Sequence, residues 1–156
     1  MSFRCIAAAL FIAAAPPAFA DAATHHDTAT HETSIGQQGD PAKIDRTITL
    51  TATEIAFDIK NISVKADETV RFILINNGEQ PHELTLGTAA EQAEHRQMMG
   101  EMDMDAMSHE DGATISTEPG ETKELIWKFG KAGAYEFSCN YPGHSESGMT
   151  GPLLVE

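Results

Sequence analysis

The chain has 156 residues, which is enough for one domain with appended segments. Its formal net charge of -14 at pH 7 argues against nucleic acid as a partner, because phosphates would repel so acidic a protein. The same charge would suit a basic protein partner through electrostatic steering, or would simply keep the chain soluble. We expect a monomer.

The first residues have the pattern of a cleavable secretory signal. Arg4 precedes an apolar run over residues 6–15, and Ala18-Phe19-Ala20 follows it. The run is too short to span a bilayer, and we predict no membrane span elsewhere. The sequence therefore predicts a signal peptide over residues 1–20 and a periplasmic protein.

Residues 21–44 are small, polar and without an apolar period, so they are predicted to form a flexible arm. The arm contains His25, His26 and His31, which would either capture copper or zinc loosely or belong to a solvated tail.

Loss of the signal removes Cys5 and leaves Cys139 as a lone cysteine. An exported domain normally pairs its thiols, so a single remaining cysteine needs an explanation. One explanation is a buried small hydrophobic side chain, and the other is a metal ligand.

From residue 45 onward the sequence alternates between apolar and polar residues, as half-buried strands do. The predicted strands cover residues 46–52, 62–64, 69–75, 82–86, 122–129, 135–139 and 151–155. Turn residues separate them, and little helix is predicted between them. This pattern predicts an all-β fold, a β-sandwich over residues 45–156.

The segment of residues 139–149, called the C-terminal loop below, holds a thiol, an imidazole and a thioether. Cys139, His144 and Met149 are each separated from the next by four residues. Two imidazoles, a thiolate and a distant thioether form the mononuclear blue-copper set. His82, at the start of a predicted strand, is the best candidate for the second imidazole.

The C-terminal loop reads Cys-x4-His-x4-Met, follows an alternating strand and precedes Gly-Pro-Leu-Leu-Val. This arrangement resembles the ligand loop of cupredoxins, the type 1 blue-copper proteins. The resemblance implies a Greek-key sandwich and one type 1 copper held by His82, Cys139, His144 and Met149. In character the chain is most similar to exported bacterial copper-tolerance cupredoxins.

Two positions depart from that resemblance. Many cupredoxins have Asn after the first ligand histidine and Ser or Thr after the cysteine, whereas this chain has Glu83 and Asn140. We hypothesise that the Glu83 side chain accepts a hydrogen bond from Asn140 and lowers the reduction potential. The alternative is that Glu83 points to water.

A methionine-rich insertion covers residues 91–112. Its candidate accessory metal ligands are His95, Met98, Met99, Met102, Met104, Met107 and His109. The first four have the spacing of one helix face, so a helical insertion is predicted. Thioethers prefer Cu(I), which favours additional copper here, and packing of the methionines on the sandwich is the alternative.

These observations predict an exported copper-binding protein that cycles between Cu(II) and Cu(I) and functions in periplasmic copper handling or tolerance. Its partner would be a redox or copper-exchange protein. It is not expected to be an enzyme, although weak cuprous oxidation stays open. The alternatives are a dedicated one-electron carrier, a cysteine-nucleophile enzyme that uses Cys139 with His144, and a metal-free structural domain.

Overall fold

A computed structural model describes residues 33–102 and 112–156 of the chain. Two five-stranded sheets pack face to face, which confirms the predicted all-β sandwich. The strands are β1 (Gly36–Gln38), β2 (Arg46–Thr53), β3 (Ala56–Phe57), β4 (Ile62–Val64), β5 (Thr69–Asn76), β6 (His82–Gly87), β7 (Thr114–Thr117), β8 (Thr122–Phe129), β9 (Gly133–Ser138) and β10 (Thr150–Val155). In the described ranges there is one α-helix, α1 (Ala89–Glu101), and one 3-10 turn, Pro41–Lys43.

Sheet A has the strand order β1-β8-β5-β2-β3, and sheet B has the order β4-β10-β9-β6-β7. Most neighbouring strands are antiparallel, but β2 pairs with β5 in parallel and β4 pairs with β10 in parallel. The chain therefore crosses between the sheets several times, which brings segments distant in sequence to the same end of the sandwich.

Sheet A contributes large apolar side chains to the core. Its central strand β5 lies between β8 and β2, and Val70, Phe72 and Leu74 point inward with no exposed surface. On β8 every second residue from Leu125 onward is buried, including Trp127 and Phe129, as the alternating pattern predicted. The rings of Phe72 and Phe129 meet edge to face with centroids 6.1 Å apart.

Strand β6 of sheet B differs from a half-buried strand because all six of its residues are buried. Helix α1 packs against β6 and β9, so both faces of β6 are covered. The polar residues of β6, which alternation alone would direct to water, are thereby enclosed. They include Glu83 and Thr85.

Helix α1 begins with a capping box. The Thr88 side chain accepts from the Glu91 backbone N–H, and the Glu91 carboxylate accepts from the Thr88 N–H. Glu91 also accepts from the Ser34 hydroxyl at 2.7 Å, which ties the helix start to the residues before β1. None of the helices in the described ranges is long and apolar enough to cross a membrane.

Three features differ from the sequence prediction. Strand β1 pairs with β8 and Ile35 is fully buried, so part of the segment predicted as an arm packs on the sandwich before residue 45. Strands β3 and β7 were not predicted, since each is short and lacks clear alternation. The predicted signal peptide and the histidines of the arm lie outside the described residues.

Candidate metal centre

His82 is the first residue of β6 and is completely buried. Its backbone carbonyl accepts from the Thr117 hydroxyl of the neighbouring strand at 3.2 Å. Gly78 lies close to the second ring nitrogen of His82, since a Cβ added at Gly78 would be 3.1 Å from His82 Nε2. The strand and the close backbone together fix the imidazole so that Nδ1 points towards the C-terminal loop.

The C-terminal loop connects β9 to β10 across one end of the sandwich. The Cys139 N–H donates to the Met149 carbonyl and the Met149 N–H donates to the His144 carbonyl, both at 3.0 Å. Gly143 and Gly148 have φ angles of 84° and 96°, which side-chain-bearing residues rarely adopt. The loop therefore folds back on itself.

Three donor atoms converge inside this end of the sandwich. Cys139 Sγ lies 3.3 Å from His144 Nδ1 and 3.9 Å from His82 Nδ1. All three donor atoms lie within 4.8 Å of one another, and all three residues are buried. Met149 is also fully buried in the same loop. A thiol, two imidazoles and a thioether are the donor set that copper takes in electron-transfer sites.

The environment keeps these groups neutral when no metal is bound. Burial lowers the pKa of His82 to about 4, and the nearby His144 adds to this shift. Burial also lowers the pKa of His144. Burial raises the pKa of the Cys139 thiol to about 12, and the negative charge of Glu83 acts in the same direction. Neutral imidazoles are ready to bind a metal, whereas the thiol must lose its proton first.

Glu83 follows His82 in sequence and is completely buried, so it does not point to water. Its backbone N–H lies 3.5 Å from Cys139 Sγ. Its carboxylate accepts from the Asn140 backbone N–H at 2.9 Å and from the Thr85 hydroxyl at 3.0 Å. His95 Nε2 lies 3.2 Å from the same oxygen. The expected contact between Glu83 and Asn140 is thus present, through the backbone of Asn140 and not through its side chain.

Gln80 is a neighbour of the site that the sequence analysis missed. Its side-chain oxygen lies 3.2 Å from His144 Nε2, the ring nitrogen that faces away from Cys139. Beside it a cavity of about 120 Å³ is lined by Gln80, Pro81, Tyr141, Pro142 and His144. Nothing in the local pattern around Gln80 marks it, because its partner is 64 residues away in sequence.

The predicted accessory ligands on α1 do not share one environment. Met99 is fully buried in the core and Met102 is partly buried, whereas Met98 is 45% exposed. The side of α1 that meets the sandwich contains Gln92 and Met99 but not the exposed Met98, and metal binding by these residues stays a prediction. Met104, Met107 and His109 lie outside the described residues.

Three similarities to known proteins bear on this centre. The sequence profile of the copper-binding proteins, plastocyanin/azurin family, matches residues 44–156. The chain is 40% identical to a copper-resistant cuproprotein CopI of Rubrivivax gelatinosus, over 95% of this chain and 92% of that one. It is 36% identical to the copper-resistant cuproprotein CopI of Pseudomonas aeruginosa, over 81% of this chain and 84% of that one.

The fold is similar to that of solved structures. Auracyanin B superposes with a TM-score of 0.65 at 22% identity, over 79% of this chain and 95% of that one.

Proposed function

Because the chain belongs to the plastocyanin/azurin family of copper-binding proteins, we propose that it is an exported, periplasmic copper-handling protein whose single type 1 copper is held by His82, Cys139, His144 and Met149. The observation that carries this proposal is the buried convergence of the Cys139 thiol with two imidazole Nδ1 atoms. Copper bound there supplies reversible one-electron cycling between Cu(II) and Cu(I).

The protein's own residues contribute a nearly prearranged set of donors. His82 is fixed by β6, and the backbone hydrogen bonds of the C-terminal loop hold Cys139, His144 and Met149 in one turn structure. Donors that are already in place need little rearrangement when the charge of a bound ion changes. Burial of all four side chains excludes water from them.

The cysteine-nucleophile alternative agrees poorly with the same geometry. A reactive cysteine needs a lowered pKa and access to substrate. Burial raises the pKa of Cys139 to about 12, and its side chain has no exposed surface. A buried neutral thiol between two imidazoles suits a metal ligand better, and we therefore propose a copper-binding protein and not an enzyme.

Copper handling is favoured over dedicated electron transport by the relatives, which are named copper-resistant cuproproteins and match this chain over most of its length. The partner would then be a redox or copper-exchange protein. An acidic chain with a formal charge of -14 would attract a basic surface on that partner.

The first test is a visible spectrum with metal stoichiometry for the parent protein, Cys139→Ser and Met149→Leu. We expect intense thiolate-to-copper absorption in the parent, none in Cys139→Ser, and retained but shifted absorption in Met149→Leu. An uncoloured parent in the presence of Cu(II) would refute the copper site. Circular dichroism of all three proteins serves as the control for folding.

The second test separates handling from electron transport. A strain that lacks the gene is grown on increasing copper and complemented with the parent or with Cys139→Ser. We expect copper sensitivity that only the parent rescues. Normal growth on copper, combined with a respiratory defect, would favour the one-electron carrier.

A further inference from the structure

Asn140, the residue that follows Cys139, is held at three points. Its backbone N–H donates to Glu83, its side-chain Nδ2 donates to Gln92 Oε1 at 2.8 Å, and its Oδ1 accepts from Arg96 at 3.4 Å. Asn140 is almost fully buried. Both ends of its amide are therefore bound by helix α1, which lies 44 to 48 residues away in sequence.

Gln92 connects α1 to three other segments and is completely buried. Its Nε2 donates to the Thr85 carbonyl of β6 at 2.9 Å and to the Glu136 carbonyl of β9 at 3.3 Å. Its oxygen accepts from Asn140. A buried amide with all of these partners holds its neighbours in one arrangement, because any displacement leaves a polar group without a hydrogen bond.

Arg96 lies one turn after Gln92 on the same side of the helix. One nitrogen of its guanidinium lies 3.4 Å from Asn140 Oδ1 and 3.3 Å from Ser145 Oγ. Asn140 follows Cys139 and Ser145 follows His144. A single side chain thus spans the two residues that adjoin the thiol and the loop imidazole.

Helix α1 is held to the rest of the domain both before and after the residues that contact the C-terminal loop. Its start is held by the capping box and by the hydrogen bond between Ser34 and Glu91. Towards its other end Met99 is fully buried in the core. The residues that contact the C-terminal loop therefore project from a support that cannot easily move with the loop.

We propose that Gln92 and Arg96 are positioning residues of the metal centre, through which α1 fixes the separation between Cys139 and His144. The consequence of this proposal is that α1 sets the geometry of the bound copper. That consequence rests on the proposed function. Helix α1 would then be part of this site, although it supplies no ligand to the type 1 copper.

The test compares Arg96→Met and Gln92→Met with the parent in the copper-loaded full-length protein. Arg96→Met keeps the aliphatic part of the side chain and removes every donor. Gln97→Met is the matched control, because Gln97 is exposed on the same helix and contacts only Glu101 among the hydrogen bonds of the described residues. Copper content, charge-transfer band positions, electron paramagnetic resonance and the rate of copper release to a chelator are measured.

We expect both site variants to keep one copper per chain, with shifted charge-transfer bands and about tenfold faster release, as loss of a buried or charged hydrogen bond predicts. Gln97→Met should match the parent. Parent-like bands and release rates in both site variants would overturn the proposal. If Gln92→Met does not fold, the partly exposed Arg96→Met decides the matter alone.

A second readout needs no copper. In the metal-free protein, alkylation of Cys139 by iodoacetamide, followed on its own peptide by mass spectrometry, should be about tenfold faster in Arg96→Met than in the parent or Gln97→Met. Equal alkylation rates in the three proteins would overturn the proposed positioning role of Arg96. A parent without copper colour but with this difference would instead refute the proposed function and leave the positioning role supported.

Discussion

The two sheets of the sandwich bury different kinds of side chain. Sheet A encloses Phe72, Leu74, Trp127 and similar residues, and its strands alternate between buried and exposed positions. Among the described residues, all buried polar side chains except Thr69 and Asn76 lie on sheet B, on α1 or in the C-terminal loop. Sheet B also buries apolar side chains such as Leu84 and Phe137, but the polar interior that forms the site is concentrated on its side of the domain, away from the large apolar side chains of sheet A.

The difference arises from what covers each sheet. The large apolar side chains of sheet A belong to the hydrophobic core, whereas β6 of sheet B lies between the core and α1. Most buried polar groups in proteins are hydrogen-bonded, and α1 supplies partners to Asn140 and to the Thr85 carbonyl. The helix therefore allows a polar interior that the sandwich alone could not support.

The largest expected effect belongs to sheet A. Phe72→Ala should lower the free energy of unfolding by about 3–5 kcal/mol, because a fully buried ring is lost and a cavity remains. At temperatures where the variant is folded, its copper spectrum should equal that of the parent. Chemical denaturation and visible absorption measure both quantities. Phe72→Leu, which keeps more volume, should cost less, and an altered spectrum in either variant would contradict the separation of roles.

The next test concerns the methionines of α1. Met99→Ala should lower the free energy of unfolding by about 2–5 kcal/mol, because this side chain is fully buried. Met98→Ala, one residue earlier and 45% exposed, should change it by less than about 0.5 kcal/mol. Denaturation of the metal-free variants gives both values. Equal losses would mean that α1 packs on the sandwich through another face.

The imidazole of His82 should make the metal-free protein acid-sensitive. Its pKa is about 4 in the folded state and 6.5 in its ordinary state, so the unfolded chain binds a proton more readily between these values. The contribution of this imidazole to the free energy of unfolding is therefore fully present above pH 6.5 and falls by about 3 kcal/mol as the pH drops towards 4. Denaturation at several pH values measures this loss. His82→Asn should show a shallower dependence, and an identical slope would contradict it.

The smallest effect concerns the buried carboxylate beside the site. Glu83→Gln keeps the acceptor for the Asn140 N–H and removes a negative charge, which should raise the reduction potential on the order of 100 mV. Glu124→Gln on sheet A, an exposed carboxylate paired with Arg71, is the control and should leave the potential unchanged. Protein-film voltammetry measures the potential. An unshifted value in Glu83→Gln would show that this carboxylate does not tune the copper.

The local pattern of apolar and polar residues was sufficient to predict the sandwich. The alternation in β8 and the bulky run in β5 reflect burial on sheet A, and both strands occur where they were predicted. The spacing of Cys139, His144 and Met149 also indicated one loop, since chain geometry links residues so close in sequence. His82 was predicted as the second imidazole ligand because an imidazole at a strand start could complete the donor set of the C-terminal loop.

Other parts of the site depended on contacts that no local pattern records. Gln92 and Arg96 look like ordinary polar residues of an exposed helix, and both contact Asn140, which is more than forty residues away. The predicted helix face contained His95 and three methionines, but Gln92 is buried against the sandwich together with Met99. Hydrophobic periodicity fails wherever a polar interior is formed by partners from elsewhere in the chain.

The position of the C-terminal loop between the last two strands has a consequence for the order of folding. Strand β10 pairs with β9 and, in parallel, with β4, so sheet B is continuous only when β10 is in place. During synthesis the chain emerges from its amino end first, so His82 is made long before Cys139 and its neighbours. The proposed ligands would then come together only after β9 and β10 have paired, so the site would form late in folding.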